Sequence, residues 1–302
     1  MELLQQLSEQ AAFINAEVIP WVLRLVMMGL GLSLTVIDFK RIIIFPKAVT
    51  IGLIAQLVGL PAAAFGLSLL FNAPPAIAVG LVILAACPSG VTANAYTFAS
   101  RADVPLCVTL SAITSVVTVF TIPFLIDIAL RLFFGEGLLA QISPIGMLIS
   151  LMTFTLLPLA IGMVLRIRFP SMAERAVEPI RKAVLYLMVL VLLLGIISSY
   201  QHIFEHFATA GPLVVVMTLT TMGFGYGVAR VFGLPMPQVV TITFEVGVQN
   251  LALAWAITFN ILERPELAVA GLIYAVIMPA AALGFVAIAR QLLTSKKAVA
   301  GA

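Results

Sequence analysis

The stretch FEVGVQNLALAWAITF, residues 244–259, places Glu245, Gln249 and Asn250 close together inside a long apolar run. An apolar run of this kind is typical of a membrane-spanning helix. A carboxylate inside such a helix is costly, and by default it indicates a functional site. The stretch therefore predicts a membrane segment that contains a polar site.

The composition of the whole chain extends this interpretation. Of the 302 residues, 62% are hydrophobic and only 10% are charged, and the mean hydropathy is +1.18, whereas a soluble domain has about 25% charged residues. Apolar windows long enough to cross a bilayer recur along the chain, without a soluble stretch long enough for a separate domain. We predict an all-α polytopic membrane protein with one transmembrane domain, residues 1–302, and no nucleic-acid partner.

The apolar windows predict nine spans, centred near residues 28, 60, 86, 118, 155, 191, 221, 249 and 278. Of the 16 Lys and Arg residues, all but Arg24, Arg131 and Arg264 fall on one side when the N-terminus is placed outside. Because basic residues favour the cytoplasmic side, we expect a cytoplasmic C-terminus and a multi-pass protein of the cell (inner) membrane.

Two predicted spans are interrupted near the middle, the third by CPSGVTAN (87–94) and the eighth by EVGVQN (245–250). Each follows the pattern Gly-x4-Phe-x2-Pro, which begins at Gly66 and again at Gly227. Interrupted segments at matching places in two halves indicate an inverted repeat with a transport site at the bilayer midplane. We expect pseudo-repeats at approximately 15–135 and 140–295, with spans 2–4 and 7–9 forming the core and spans 1, 5 and 6 a panel.

The first interruption contains Pro88, Ser89 and Gly90, which favour an unwound backbone. At such breaks, helix N-termini attract anions and unwound carbonyl groups coordinate cations. The alternative is a packing kink with a small residue at a helix contact.

Glu245 is the one carboxylate near the predicted midplane, and no basic residue is expected at that depth. It must therefore bind a cation or stay protonated, for example in a hydrogen bond to Gln249. Neutral oxygen ligands for a hard monovalent cation are available from Gln56, Asn94, Gln249 and Asn250.

The sequences CPSGVTANAYTFASRADVPLCVTLSAIT and EVGVQNLALA resemble those of the bile acid:sodium symporter family, whose helices cross at the midplane with CPGG-like and EVGxQN-like motifs. The similarity extends from IPWVL at residue 19 to the last span. Bacterial members often have ten helices, and this chain resembles a bacterial-type member that lacks the first, as in the nine-helix animal members.

The resemblance implies two sodium sites. The first would use the side chains of Gln56, Glu245 and Gln249 with backbone oxygens around Val246 and Val248. The second would use Asn94, Ser111 and Glu245 plus two further hydroxyl groups.

At those two further positions, where the family typically has serine, this chain has Ala93 and Cys107. A thiol is a poor ligand for a hard ion. The second site is therefore vacant, completed by Thr97, Thr114 or Ser115, or replaced by proton coupling at Glu245.

The resemblance also implies where the anion binds. It would meet backbone N–H groups of the second half of span 3 and the side chain of Asn250. The expected substrate-binding residues are Val91, Thr92, Ala93, Asn94, Asn250 and Pro279.

The sequence thus predicts a secondary active transporter that couples sodium entry to symport of an organic anion, either bile acid-like or a small carboxylate, by alternating access. Sodium is the coupling ion, no other cofactor is expected, and the chain is not expected to be an enzyme. One alternative is a proton-coupled transporter that uses Glu245. A distant alternative is a membrane metallopeptidase, because His202 and His206 form the pattern H-x-x-E-H.

Overall fold

Helices make up most of the described chain in the computed structural model, which describes residues 2–35, 45–135, 143–198 and 200–300. Within these ranges there is no β-strand, only an isolated bridge between Ser89 and Gln249. The helices are α1 Glu2–Ser33, α2 Pro46–Leu70, α3 Pro75–Ala86, α4 Val91–Ala99, α5 Val104–Phe134, α6 Pro144–Arg168, α7 Pro170–Ser198, α8 Tyr200–Val231, α9 Met236–Gly247, α10 Leu251–Ile261 and α11 Val269–Ala300.

Five helical segments are long and apolar enough to cross a membrane: Pro46–Leu70, Val104–Phe134, Pro144–Arg168, Ile203–Val231 and Pro265–Thr294. Shorter apolar helices occupy Val18–Ser33, Pro75–Ala86 and Leu251–Ile261. Large apolar side chains such as Phe98 (74% exposed) and Phe204 (83% exposed) cover the outer surface, as in a lipid-facing protein. The chain is a multi-pass membrane protein, while nine crossings remain a prediction.

Helix α1 packs along α6 and α7. A Cβ atom added to Gly31 would lie 2.2 Å from the Leu159 carbonyl oxygen, and one added to Gly162 would lie 2.3 Å from the Met28 carbonyl oxygen. Only glycine fits at either position, because the two backbones touch. Small residues commonly permit such close contacts between membrane helices. Helices α1, α6 and α7 therefore form one packed layer.

Helices α3 and α9 lie at the centre of the remaining helices. Residues 77–86 of α3 and 239–247 of α9 are buried without exception, as expected for a helix surrounded by other helices. Helix α3 packs against α2, α5 and α11, and α9 packs against α4, α5, α8 and α11. The C-terminal ends of both helices therefore lie inside the protein.

The same helix-ending turn precedes both central helices. After α2, the N–H groups of residues 71, 72 and 73 donate to the carbonyls of residues 67, 69 and 68, and Asn72 has a φ of 45°. After α8, residues 232, 233 and 234 donate to 228, 230 and 229, and Gly233 has a φ of 68°. This is the Schellman arrangement, in which a left-handed residue ends the helix. The two Gly-x4-Phe-x2-Pro sequences thus fold into equivalent turns.

Besides a π turn at the end of α10, Ile257–Ile261, two helices contain a π turn in their interior, at Ala55–Gly59 in α2 and Met152–Leu156 in α6. Each interior π turn is followed closely by a proline inside the helix, Pro61 and Pro158. Proline removes an N–H donor and its ring crowds the preceding turn, which a wider turn relieves. The π turn in α2 carries Gln56, one of the predicted site residues.

Candidate functional site

The unwound segments after α3 and α9 cross and pair with each other. Ser89 and Gln249 form an antiparallel bridge. The Gly90 N–H donates to the Val248 carbonyl at 3.2 Å, and the Asn250 N–H donates to the Pro88 carbonyl at 2.9 Å. Unwound backbone is tolerated at membrane depth only where protein or enclosed water satisfies it. Here each unwound segment provides hydrogen-bond partners for backbone groups of the other.

The first break follows from local sequence. Cys87, which precedes Pro88, has φ −69° and ψ 149°, because a residue before proline avoids the α region. Gly90 is also extended, and a Cβ atom there would lie 3.2 Å from the Gln249 carbonyl oxygen. Helix α4 begins immediately afterwards, without a side-chain cap. No side chain from the N-cap position therefore accepts a hydrogen bond from the first N–H groups of α4.

The second break contains no proline, and side chains hold it instead. The Tyr274 hydroxyl donates to the Gly247 carbonyl at 2.7 Å and accepts from the Gln249 N–H at 3.3 Å. Asn250 caps α10, because its Oδ1 accepts from the Leu253 N–H at 3.1 Å. Tyr274 was not predicted as a site residue. A phenol within the otherwise apolar last span was the signal that could have identified it.

Glu245, Ser89, Ser111 and Cys107 meet beside the crossing, and we call them the carboxylate cluster. The Ser89 hydroxyl donates to Oε1 of Glu245 and lies 2.8 Å from the Ser111 hydroxyl oxygen. The Ser111 Oγ lies 3.2 Å from both carboxylate oxygens, and the Cys107 Sγ donates to Oε2 at 3.2 Å. Sequence reasoning placed Ser111 and Cys107 here but treated Ser89 only as part of the break.

The carboxylate is fully enclosed. Glu245 is 0% exposed, and among the residues that the structure describes no Lys, Arg or His forms an ion pair with it. A buried charge without a partner is strongly destabilising. The cluster must therefore receive a cation or a proton.

Three further hydroxyl groups considered from the sequence lie around this cluster without completing it. Thr97 Oγ1 lies 3.4 Å from the Cys107 Sγ, to which it donates. Thr114 and Ser115 donate to the Ser111 backbone carbonyl at 3.2 and 2.7 Å. Their protons are thus directed at the helix backbone or the thiol.

Gln56 of α2 contacts Gln249 of the second break, and we call these two residues the amide cluster. The Gln56 Nε2 donates to the Gln249 Oε1 at 2.9 Å and to the Cys87 carbonyl at 3.2 Å, while the Gln249 Nε2 donates to the Val246 carbonyl at 2.8 Å. Both side chains are buried. The Gln56 Oε1 is buried without a hydrogen-bond partner. An enclosed amide oxygen of this kind suits a hard cation.

The two clusters divide the predicted sodium ligands between them. Gln56 and Gln249 form one set, and Glu245, Ser111 and Cys107 form the other. Within the described contacts, Glu245 makes no hydrogen bond to Gln56. The Val248 carbonyl already accepts from Gly90 but retains a second lone pair.

Four of the six predicted anion-binding residues, positions 91–94, form the start of α4, while Asn250 precedes α10 and Pro279 belongs to α11. Thr92 is exposed, Ala93 is buried, and Asn94 is half-buried with its Oδ1 enclosed and without a partner. The side chain of Val91 lies outside the described part of the structure. Pro279 lies half-buried in α11, beyond Tyr274.

The H-x-x-E-H sequence lies at the start of α8. The side chain of His202 is outside the described part, and His206 is half-buried. In the described ranges, no group of three or more His, Cys, Asp or Glu side chains could hold a metal ion.

Comparison with known proteins gives a family match and several relatives. The model of the sodium bile acid symporter family matches residues 20–206. The chain is 30% identical over 243 residues to YocS, named a sodium-dependent transporter, of Bacillus subtilis, an alignment that covers 78% of this chain and 71% of that protein.

Two eukaryotic relatives are more distant. A probable chloroplastic sodium/metabolite cotransporter of Oryza sativa, BASS1, is 27% identical over 80% of this chain and 58% of its own length. The sodium/bile acid cotransporter 4 of Mus musculus is 26% identical over 76% of this chain and 53% of its own length. The chain thus spans less than two thirds of these two relatives.

Proposed function

This chain belongs to the sodium bile acid symporter family, and from that membership we propose that it is a secondary active transporter which couples sodium entry to symport of an organic anion. The family and the relatives described above are sodium symporters and sodium-dependent transporters or cotransporters. They confirm that the chain is a transporter and not an enzyme, which removes the metallopeptidase alternative.

One observation carries the proposal: a buried carboxylate without an ion-pair partner in the described chain lies where two broken helices cross. A sodium ion at this place would neutralise Glu245. Because Ser89 and Gln249 also pair there, the ion would hold both breaks in one arrangement. Binding of the anion and of sodium must then strengthen each other by the same factor.

The first sodium position is proposed at the amide cluster. Its ligands are the side chains of Gln56, Gln249 and Glu245 with the backbone carbonyls of Val246 and Val248. The unpartnered Gln56 Oε1 supports this assignment. Hydrogen bonds among the amides orient the oxygens in advance, which lowers the entropic cost of binding.

The second sodium position is proposed at the carboxylate cluster. Asn94, Ser111 and Glu245 are its oxygen ligands, while Ala93 and Cys107 contribute no oxygen. The Asn94 Oδ1 is enclosed and without a hydrogen-bond partner, which supports its assignment as a ligand.

The anion is proposed to bind at the N-terminal ends of α4 and α10. Both helices begin at the crossing, and helix N-termini favour negative charge. Thr92 is exposed beside the uncapped start of α4, and Asn250 starts α10. With Val91, Ala93, Asn94 and Pro279 these residues would bind a carboxylate or bile acid-like anion.

Alternating access is proposed as rocking of a core against the layer of α1, α6 and α7. The inverted repeat is supported by the two equivalent Schellman turns and by the bridge itself, in which each residue faces one about 160 positions away. We place the protein in the cell (inner) membrane with the N-terminus outside and the C-terminus in the cytoplasm.

The test compares thermal stability of the detergent-purified protein in sodium and in potassium at equal ionic strength. We expect a sodium-specific rise that Glu245→Gln abolishes, because the buried negative charge is lost. Glu174→Gln is the control, since Glu174 pairs with Arg166 at an exposed site. Unchanged sodium affinity in Glu245→Gln would refute the assignment.

Proton coupling through Glu245 is the second candidate, favoured by the absence of oxygen at positions 93 and 107. It predicts that uptake into proteoliposomes follows a pH gradient without sodium. Uptake that requires a sodium gradient and is unaffected by a proton ionophore would exclude it.

A further inference from the structure

Building on the proposed function, we propose that Ser89 is a ligand of the second sodium position and supplies one of the two side-chain oxygens that Ala93 and Cys107 lack. The unwound segment of the first break would then be part of the ion site itself, and not only its support. The inference rests on the contacts of three hydroxyl- or carboxylate-bearing side chains and on their protons.

Ser89 contacts two of the other three members of the carboxylate cluster, Glu245 and Ser111. It is 2% exposed. Its hydroxyl oxygen lies 2.8 Å from that of Ser111 and donates to Oε1 of Glu245. Ser89 thus brings a neutral oxygen to the same carboxylate that Cys107 approaches from the other oxygen, Oε2.

The carboxylate cluster has too few protons to occupy all its oxygen lone pairs, so some of these lone pairs can bind a cation. Ser89, Ser111 and Cys107 carry one proton each. Ser111 nevertheless lies within 3.2 Å of both carboxylate oxygens and within 2.8 Å of Ser89. Its single proton can satisfy only one of these approaches, so oxygen lone pairs outnumber the protons. Such a group of hard oxygens, with one negative charge, suits sodium.

The backbone fixes Ser89 in place. Ser89 bridges Gln249, and its neighbours Pro88 and Gly90 both exchange hydrogen bonds with the second break. The hydroxyl therefore sits on a segment that is already ordered, and ion binding does not have to order it.

The same bridge connects the two sodium positions. Ser89 belongs to the carboxylate cluster, while its bridge partner Gln249 belongs to the amide cluster. An ion at one position would stabilise the bridge and so favour an ion at the other. We therefore expect positive cooperativity between the two sodium ions, and we expect it to depend on Ser89.

The experiment titrates sodium against the purified full chain, with potassium keeping ionic strength constant, and follows both thermal stability and the heat of binding. The wild type should show a Hill coefficient above 1, approaching about 2. Ser89→Ala and the near-isosteric Ser89→Cys should lower the coefficient to about 1 and weaken sodium binding about tenfold, the effect of losing roughly one ligand interaction. Because either change removes a buried hydrogen bond to Glu245, the sodium-induced shift of each variant is measured from its own baseline in potassium.

Ser115→Ala is the matched control, because that buried hydroxyl donates to the Ser111 backbone carbonyl. It should keep the wild-type curve. The double variant Ser89→Ala with Cys107→Ser should regain cooperativity, because a hydroxyl then approaches Glu245 from position 107.

Wild-type cooperativity in Ser89→Cys, or a double variant that does not recover, would overturn the role of Ser89. A coefficient of about 1 in the wild type as well would also overturn it, while leaving sodium coupling through the amide cluster intact. A wild type that does not respond to sodium would overturn the proposed function itself.

Discussion

The break between α3 and α4 is made by the backbone chemistry of Pro88 and Gly90, whereas the break between α9 and α10 has no proline and is held by side chains. Tyr274 holds the end of α9 from another helix, and Asn250 caps α10. The first break is therefore encoded locally, and the second depends on tertiary contacts.

This difference concerns function as well as folding. A proline break persists whatever the neighbouring helices do, because the missing N–H cannot be restored. A break that a hydroxyl from α11 holds open can respond when α11 moves. We infer that the second break is the adjustable part of the crossing and that the first is the fixed part.

The largest expected effect comes from Tyr274→Phe. Removing the hydroxyl leaves the Gly247 carbonyl and the Gln249 N–H without this buried partner, which costs about 1–3 kcal/mol. The apparent Tm in detergent should fall by several degrees, and sodium affinity should fall with it because Gln249 loses its support.

Tyr96→Phe is the control for that variant, since the Tyr96 ring stacks on Phe244 and its packing is retained. If both variants shift the Tm equally, Tyr274 does not hold the break.

Substitutions of Asn250 should have an intermediate effect on stability. Comparison of two of them distinguishes the capping role of this residue from its proposed role in anion binding. Asn250→Ala removes the cap of α10 and should cost about 1 kcal/mol of stability. Asn250→Asp keeps a capping oxygen but adds a negative charge at the proposed anion site. We expect the Asp variant to lose anion-dependent stabilisation, measured from its own baseline in potassium because the added charge is buried.

Ser143→Ala is the control, because Ser143 caps another helix, α6, by accepting from the Gly146 N–H at 3.2 Å. If this variant loses as much anion-dependent stabilisation as the Asn250 variants, the prediction is contradicted.

The smallest effect on stability is expected for Pro88→Ala. The pairing of Gly90 with Val248 and of Asn250 with Pro88 uses groups that alanine retains. The variant should lose at most about 1 kcal/mol, mainly because proline restricts the unfolded chain. A larger loss than for Tyr274→Phe, measured by thermal unfolding, would contradict the expectation that the variant retains these hydrogen bonds.

The parts of the site that could be predicted are those with a local signal. Pro88 and Gly90 predict a helix break, and Glu245 inside an apolar run predicts a functional site. Gln56 was named first as a neutral oxygen ligand inside a predicted span and then through the family resemblance, and its unpartnered oxygen agrees with a ligand role.

Ser89 and Tyr274 escaped prediction because their roles depend on distant contacts. Ser89 acts through Glu245, which is 156 positions away, and Tyr274 acts on backbone that belongs to another helix. The number of crossings and the repeat boundaries also remain predictions, because the helices Pro75–Ala86 and Leu251–Ile261 are too short to span a bilayer alone.

The π turn at Ala55–Gly59 means that α2 would become longer if this turn closed to α geometry. A π turn holds one residue more than an α turn, so its closure to α geometry would rotate the rest of the helix by about 100° and shift it by about 1.5 Å. Gln56 lies within that turn. Such a closure would turn the Gln56 amide relative to Gln249 without breaking the helix, because Pro61 already leaves the next turn short of one donor.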